Sequence, residues 1–314
     1  MVIGVPTSSG VPSSSGVPAV SAPDVTLVDA CLREGAGGSP TAVIISDTPV
    51  PVPPAASHLA VIAPQSPDGI HRIRFFTSAG ELPNCGHGTI AALAVLVASQ
   101  LATSELATDD SFAGRLAIGG RLVEAVGRPL PGGGVEAWFD QGTVTVAKPD
   151  DAAVADVLGA LGLDTGDLDD GDLDNGDLDK PFSPVIASPG RPRLLLPLRS
   201  PVRLAAVVPD QARLAEVSAR HDVLGCFAYA RRDEGRSSGR LAARMFAPAI
   251  GVPEDVANAN SSGCLAAYLL SIGENPAIAV DQGDTLGRPS TVYAEASYTP
   301  DGIRTRVGGV ARLR

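Results

Sequence analysis

The chain has 314 residues, 44 % of them hydrophobic, which is enough to bury a large core and suits two domains of ordinary size. A net charge of −11 argues against nucleic acid as a partner, because phosphate binding needs a concentrated basic surface. No apolar run reaches the roughly 20 residues of a membrane span, and four scattered cysteines without metal spacing disfavour zinc and a disulfide framework.

Residues 1–23 repeat Val-Pro and Ser-Ser-Gly, with neither a basic start nor an apolar stretch, so they read as an extended arm and not as a secretory signal. A reduced, cytoplasmic protein is the corresponding expectation. Strand-like runs follow at Val25–Ala30, Ala42–Ile45, Leu59–Ile62 and Ile70–Phe76, punctuated by Gly and Pro. Gly88 to Leu101 is almost wholly small or aliphatic and predicts a helix buried on all sides. Strands resume at Arg115–Ile118, Arg121–Val126, Val135–Phe139 and Thr143–Ala147, which would wrap that helix. Asp150 is placed to cap a helix running to Leu161 and ending at Gly162.

Residues 166–180 carry a five-residue Gly-Asp-Leu-Asp repeat that holds seven aspartates, so much of the chain's net charge of −11 is local. Its spacing fits neither the EF-hand loop nor the nonapeptide calcium repeat, and it reads as a solvated acidic loop. Beyond it come strands near Pro184–Ala187 and Arg193–Pro197, a helix at Pro209–Arg220, and strands at Val223–Ala230 and Leu241–Phe246. A second apolar helix begins near Asn260, Ser261 or Ser262, each a suitable N-cap, and strands at Pro276–Gln282, Thr291–Tyr298 and Gly302–Val307 complete a second sheet. Mixed strands enclosing one helix, twice over, describe an α+β architecture of two pseudo-symmetric domains, each a mixed β-sheet or barrel wrapped around a central buried helix.

Two polar turns open the two buried helices. The first is Asn84-Cys85-Gly86-His87-Gly88-Thr89 and the second runs from Glu254-Asp255 through Asn258-Ala259-Asn260-Ser261. Free N–H groups and the positive dipole end at such a junction favour an anion, so a small carboxylate is the expected ligand. Gly86 admits a ligand close to the backbone, and the helix N-termini at Gly88 and Ser261 are the expected carboxylate holders. His87 at this dipole end is expected to be neutral, its pKa lowered.

These segments resemble the phenazine-biosynthesis PhzF family, which shares its fold with diaminopimelate epimerase and proline racemase. Further collinear pieces agree: Val25–Ala30 as first strand, Gly38-Ser39-Pro40-Thr41-Ala42-Val43 for a Gly-Asn-Pro-x-Ala-Val turn, Arg72–Thr77 before the first site motif, and Gln282-Gly283 with Gly287-Arg288-Pro289-Ser290 near the C-terminus. The resemblance implies an N-terminal barrel at 24–147, completed by 304–314, and a C-terminal barrel at 148–303 with the acidic loop. It also implies an isomerase without cofactor or metal, acting on a small-molecule carboxylate between the domains, in a family that is often dimeric.

The departures from the family shape the expected chemistry. The family's Ser-Glu-Thr turn, whose Glu shuttles the proton, aligns with Ser57-His58-Leu59, so His58 stands at the acid/base position; imidazole is competent there near neutral pH. His87 and Asp255 are the supporting catalytic groups that the resemblance implies. Ser57, Cys85, Gly86, Gly88, Ala259, Asn260 and Ser261 form the implied binding set, with Ala259 and Asn260 in place of the family's Gly and Ser. The expected reaction is a proton shift that migrates a double bond along an unsaturated amino or imino acid of specialised metabolism, including antibiotic biosynthesis. Two alternatives stand beside it: a racemase or epimerase dependent on Cys85, although the second thiol of such enzymes is absent from its motif position, and a ligand-binding homologue without catalysis.

Overall fold

The computed structural model describes residues 24–64, 66–103, 111–169, 182–232 and 239–314, together with Met1. The expected arm beyond Met1 and the acidic repeat from residue 170 to 180 lie outside the described residues. The first half of the chain forms β1 (Thr26–Ala30), β2 (Ser39–Ile45), β3 (His58–Ile62), β4 (His71–Thr77), β5 (Gly80–Leu82), α1 (Gly86–Thr103), β6 (Phe112–Ile118), β7 (Arg121–Leu130) and β8 (Gly134–Ala147). Next come α2 (Asp151–Ala160), β9 (Val185–Ser188), β10 (Arg193–Pro197), α3 (Pro201–Ala205), α4 (Gln211–Arg220), β11 (Cys226–Arg231) and β12 (Arg240–Ala247). The chain ends with β13 (Val252–Asp255), α5 (Ala259–Ser271), β14 (Ile278–Gln282), β15 (Ser290–Thr299) and β16 (Gly302–Leu313).

The strand pairings close two rings that share one ladder. In the first ring β8, β7, β6, β4, β3, β2, β1 and β16 pair in turn and return to β8; in the second, β8, β9, β10, β11, β12, β14, β15 and β16 do the same. The shared β8–β16 ladder is antiparallel and runs from Ile303↔Val144 to Ala311↔Val135. Both strands are long because each serves two rings. Val135–Phe139 of β8 pair with β7 and Thr145–Ala147 with β9, while β16 pairs first with β15 and finally with β1.

Sequence reading divides β8 in two because Asp140-Gln141-Gly142 has the composition of a turn. In the structure this triplet is an irregularity inside one strand: Gly142 adopts a φ of 90° and the register with β16 shifts between Thr305 and Arg306. A bulge of this sort turns a side chain inward without ending the ladder. Gln141 is buried there and accepts from the Thr305 hydroxyl while donating to the Asn260 carbonyl, at 3.0 and 2.9 Å.

Each ring is filled by one apolar helix. From Ile90 to Val97 every residue of α1 is buried, and α1 packs against all eight strands of the first ring. Helix α5 is buried from Ser261 to Leu269 and packs chiefly on β15, β16 and β8. A helix enclosed by strands has no face for water, which explains why its sequence lacks amphipathic periodicity. Each fully buried Leu or Ile of these helices contributes about 1.5–3 kcal/mol of transfer free energy. No helix among the described residues is long and apolar enough to cross a membrane.

Several expected boundaries shift. Asp150 occupies the N-cap of α2 but makes no side-chain capping bond. The cap of α5 is Asn258, whose side-chain oxygen accepts from the Ser261 N–H at 2.9 Å, so the helix starts at Ala259, ahead of the expected Asn260, Ser261 or Ser262. Asn258 is held in turn by Gln282, whose side-chain oxygen accepts the Asn258 N–H while its amide donates to Ser262. The Arg244–Glu254 ion pair, largely buried, fixes β13 against β12 and so sets the position of Asp255.

Gly263 brings α5 so close to the shared ladder that a methyl group there would collide with the Gln141 side chain and come within 2.9 Å of Val307. Overpacking of this kind costs about 1–3 kcal/mol, so Gly263→Ala is expected to lower the melting temperature by roughly 2–10 °C. Thermal unfolding followed by circular dichroism checks this; an unchanged midpoint would mean the ladder yields easily.

Candidate active site

The two buried helices point their N-termini at each other. A Cβ built on Gly86, the first residue of α1, would lie 2.5 Å from the Ala259 Cβ at the start of α5, so glycine is required for this approach. The helix ends are further joined by Asn260 donating to the Asn84 side-chain oxygen at 3.0 Å. Helix geometry leaves the first amides of both helices without intrahelical partners, and two positive dipole ends meet at one point. A concave, anion-favouring site follows from the backbone before any side chain is considered.

Four side chains surround this point. His58 begins β3, Cys85 and His87 flank Gly86, and Asp255 ends β13 from the second ring. All four line one inner cavity of about 70 Å³, whose wall also includes Gly86, Ala259, Asn260 and Arg193. An outer cavity of about 310 Å³ shares Asn84, Cys85, Gly86, Arg191 and Asn260 with it. The rings of His58 and His87 stand edge to face with centroids 4.4 Å apart. The Cys85 sulfur lies 3.3 Å from His87 Nε2, and the Asp255 carboxylate lies 3.9 Å from His87 Nδ1.

Hydrogen-bond partners assign the ring tautomers. Ser57 donates its hydroxyl proton to the Pro40 carbonyl, so its oxygen accepts from His58 Nδ1 at 3.0 Å, leaving His58 Nε2 as the lone-pair nitrogen. His87 Nδ1 donates to the Ala257 carbonyl at 3.1 Å. Asp255 is held by the Asn258 side-chain amide at 2.9 Å and the Ala257 N–H at 3.4 Å.

The two histidines are driven in opposite directions. Burial, then the neighbouring His87, lowers the His58 pKa to about 3, with Asp255 opposing weakly. For His87, burial is the largest influence and favours the neutral ring, but the Cys85 sulfur, the Asp255 carboxylate and the Ala257 carbonyl together outweigh it and raise the pKa to about 9. This corrects the expected neutral His87: the helix dipole does oppose the cation, yet the Cys85 sulfur, and after it the Asp255 carboxylate, sit beside the ring. These opposed shifts favour a neutral imidazole at His58 and an imidazolium at His87 near neutral pH.

The other expected site residues divide by position. Gly86, Cys85, Ala259 and Asn260 line the cavity. Ser57 does not line it and instead orients His58. Gly88 faces Phe75 and the Cys85 sulfur, and Ser261 is buried with its hydroxyl toward Met245, so neither lines the cavity. Cys264 lies on α5 and Cys31 near the shared ladder, both buried thiols whose pKa values burial raises. Sequence reading missed Asn84 and Arg193; the available signal for the latter was a lone cation opening the apolar run Arg193-Leu194-Leu195-Leu196. The donor atoms of His58, Cys85 and His87 all lie within 4.8 Å of one another, a group compact enough to hold a metal ion.

A family profile described as phenazine biosynthesis-like protein, PhzC-PhzF, matches residues 57–313. The chain belongs to this family. A Deinococcus radiodurans protein named an uncharacterized isomerase is 31 % identical over 256 residues, covering 78 % of this chain and 76 % of the relative. Trans-2,3-dihydro-3-hydroxyanthranilate isomerase of Pseudomonas aeruginosa is 30 % identical over 265 residues, covering 80 % and 77 %. Among solved structures, a PhzF-family protein of Bacillus anthracis superposes with a TM-score of 0.73 at 16 % identity, covering 92 % of this chain and 96 % of that one. A hydroxyproline epimerase of Agrobacterium vitis shares the fold at a TM-score of 0.57 and 10 % identity, covering 92 % and 88 %. The Deinococcus and Pseudomonas relatives are named isomerases, and this chain is an isomerase of the PhzF family.

The raised His87 pKa has a stability consequence. Its folded-state value of about 9 exceeds the unfolded value near 6.5, so its contribution is fully present below pH 6.5 and is lost as pH rises from 6.5 through 9. Melting curves of chelator-treated protein are expected to show this loss over that window, with His87→Gln showing a shallower decline. Parallel curves for both proteins would contradict the assignment.

Proposed function

We propose that this member of the PhzF family is a cofactor-independent isomerase that moves a proton, and with it a double bond, along a small unsaturated amino or imino carboxylic acid. The observation that carries this reading is the buried pair of a neutral His58 and a cationic His87 at two opposed helix N-termini. The site would lie between an N-terminal lobe of residues 24–147 with 304–314 and a C-terminal lobe of 148–303. Relatives named trans-2,3-dihydro-3-hydroxyanthranilate isomerase support an amino-acid-like substrate, and the family's phenazine-biosynthesis description supports a place in the synthesis of a specialised metabolite.

The free amides at Gly86 and Ala259 would receive the substrate carboxylate. His58 Nε2 would take a proton from the carbon conjugated to that carboxylate, and the resulting dienolate would be held by the His87 imidazolium and the helix amides. The same His58 would return the proton to a second carbon of the conjugated system, so the reaction is neutral in atoms and electrons. Asp255 would keep His87 cationic, and Ser57 would keep His58 in the tautomer whose Nε2 is free.

Deuterium incorporation in D2O across a panel of cyclic and conjugated amino and imino acids tests this reading. His58→Ala is expected to slow exchange by roughly 10²–10⁴-fold, the usual contribution of general acid–base catalysis, whereas Cys85→Ala, which removes one of the groups holding His87 charged, is expected to slow it less. Loss of exchange with Cys85 instead would move the enzyme to the thiol-dependent racemases. Absence of exchange from every compound would favour a binding protein.

One observation favours a second reading. The compact His58, Cys85 and His87 donors, with both Nδ1 atoms already engaged by oxygen partners, match the outer-sphere arrangement common around metal-bound imidazoles. Cys85 would then serve as a thiolate ligand. Stoichiometric metal in protein purified without chelator, together with exchange abolished by chelation and restored by the metal, would establish it over the metal-free proton shuttle.

A further inference from the structure

Arg193 is a poorly satisfied buried charge. It is 3 % exposed, its Nε has no hydrogen-bond partner, and among the described residues its one hydrogen bond is Nη1 donating to the Cys264 sulfur at 3.1 Å. Among the described residues it forms no ion pair with a carboxylate, although guanidinium groups elsewhere in the molecule do, as Arg244 does with Glu254. A guanidinium carries five N–H donors in a planar fork, and one thiol cannot satisfy them. Nor does the thiol neutralise the charge, because burial raises its pKa and keeps it protonated.

A buried cation without a counter-ion is strongly unfavourable unless something else supplies the negative charge. Arg193 is also part of the wall of the inner cavity, on the side contributed by β10 of the second ring. The helix N-termini already offer a place for one carboxylate at Gly86 and Ala259. Arg193 lies on the wall of the same chamber, and exposed Arg191 lines both this cavity and the outer one. The inner volume of about 70 Å³ limits what can reach the fork to a group of carboxylate size.

We propose that Arg193 binds a second carboxylate of the substrate through its guanidinium fork, so that the enzyme's substrates are small dicarboxylic acids and not monocarboxylates. This rests on the isomerase reading for which end of the molecule reacts, but not for the existence of the second anion site. The first carboxylate lies over the helix ends beside His58, and the second reaches Arg193 from the same chain of carbons. A bidentate guanidinium–carboxylate pair fixes both distance and plane, which orients the conjugated system against His58 Nε2.

The test is equilibrium binding with size-matched probes: succinate against butyrate and glutarate against valerate, with Kd from ligand-observed NMR on the full chain. Wild type is expected to prefer each dicarboxylate by at least about 30-fold, the effect of pairing a buried charge. Arg193→Gln and Arg193→Met abolish that preference, the loss of affinity falling mainly on the dicarboxylates, and Arg193→Lys retains part of it. Ligand-free Arg193→Met also melts above wild type, because a buried unpaired charge has been removed. Equal affinities in wild type, a measurement that needs no variant, would overturn the proposal, as would a preference that survives Arg193→Gln. A lower melting temperature for Arg193→Met with both ligand classes weakened would show a structural role and overturn it equally. Because the readout is binding, a dicarboxylate preference without any deuterium exchange would sink the isomerase reading alone.

Discussion

The meeting of two buried helix N-termini is the constraint on which the rest of the molecule depends. Each helix is enclosed by its own ring of strands, and the rings share the β8–β16 ladder, so the helices cannot separate without breaking that ladder. Gly86 permits the contact with Ala259, Gly263 permits the approach of α5 to the ladder, and Gln141 ties the ladder to the first turn of α5. Burying two sets of free amides face to face is unfavourable in an apolar interior unless an anion occupies the space between them. The architecture therefore creates a demand for a negatively charged ligand, and the side chains determine what happens to it.

Those side chains separate two chemically identical imidazoles. His58 is buried beside a cation and is kept neutral; His87 has a sulfur on one nitrogen and a carbonyl and carboxylate near the other, and is kept charged. Divergent environments for neighbouring titratable groups are how one fold provides a base and an electrophile at the same pH. His58, the base of the proposed reaction, comes from the first ring, while Asp255 reaches His87 on β13, which pairs with β12 of the second, so the proposed pair is assembled where the two rings meet. The raised charge state of His87 also adds a positive group to a site that already attracts anions.

Much of this was legible in the sequence because it rests on local patterns. The two aliphatic runs that became α1 and α5 lack any polar face, and the Cys85-Gly86-His87 turn marks its own helix start. His58 was legible only through the family resemblance, since nothing local distinguishes it from a strand-terminal histidine. What escaped reading depends on partners distant in sequence. Asp140-Gln141-Gly142 has turn composition, and only the opposing β16 makes it a bulge in a continuous strand. Asn258 lost the N-cap assignment to equally suitable residues because its support comes from Gln282. The His87 charge was misjudged because the dipole was weighed without the adjacent Cys85 sulfur and without Asp255, 168 positions away, and Arg193 gained meaning only from the partners it lacks.

The central claim is that the site holds one neutral and one cationic histidine. With only four histidines in the chain, ring-nitrogen NMR of protein labelled with ¹⁵N-histidine, assigned by His71→Gln and His221→Gln, reads this directly. At pH 7 the account predicts His58 protonated at Nδ1 alone, with an unprotonated Nε2, and His87 protonated at both nitrogens. A doubly protonated His58, or two neutral rings, would contradict it.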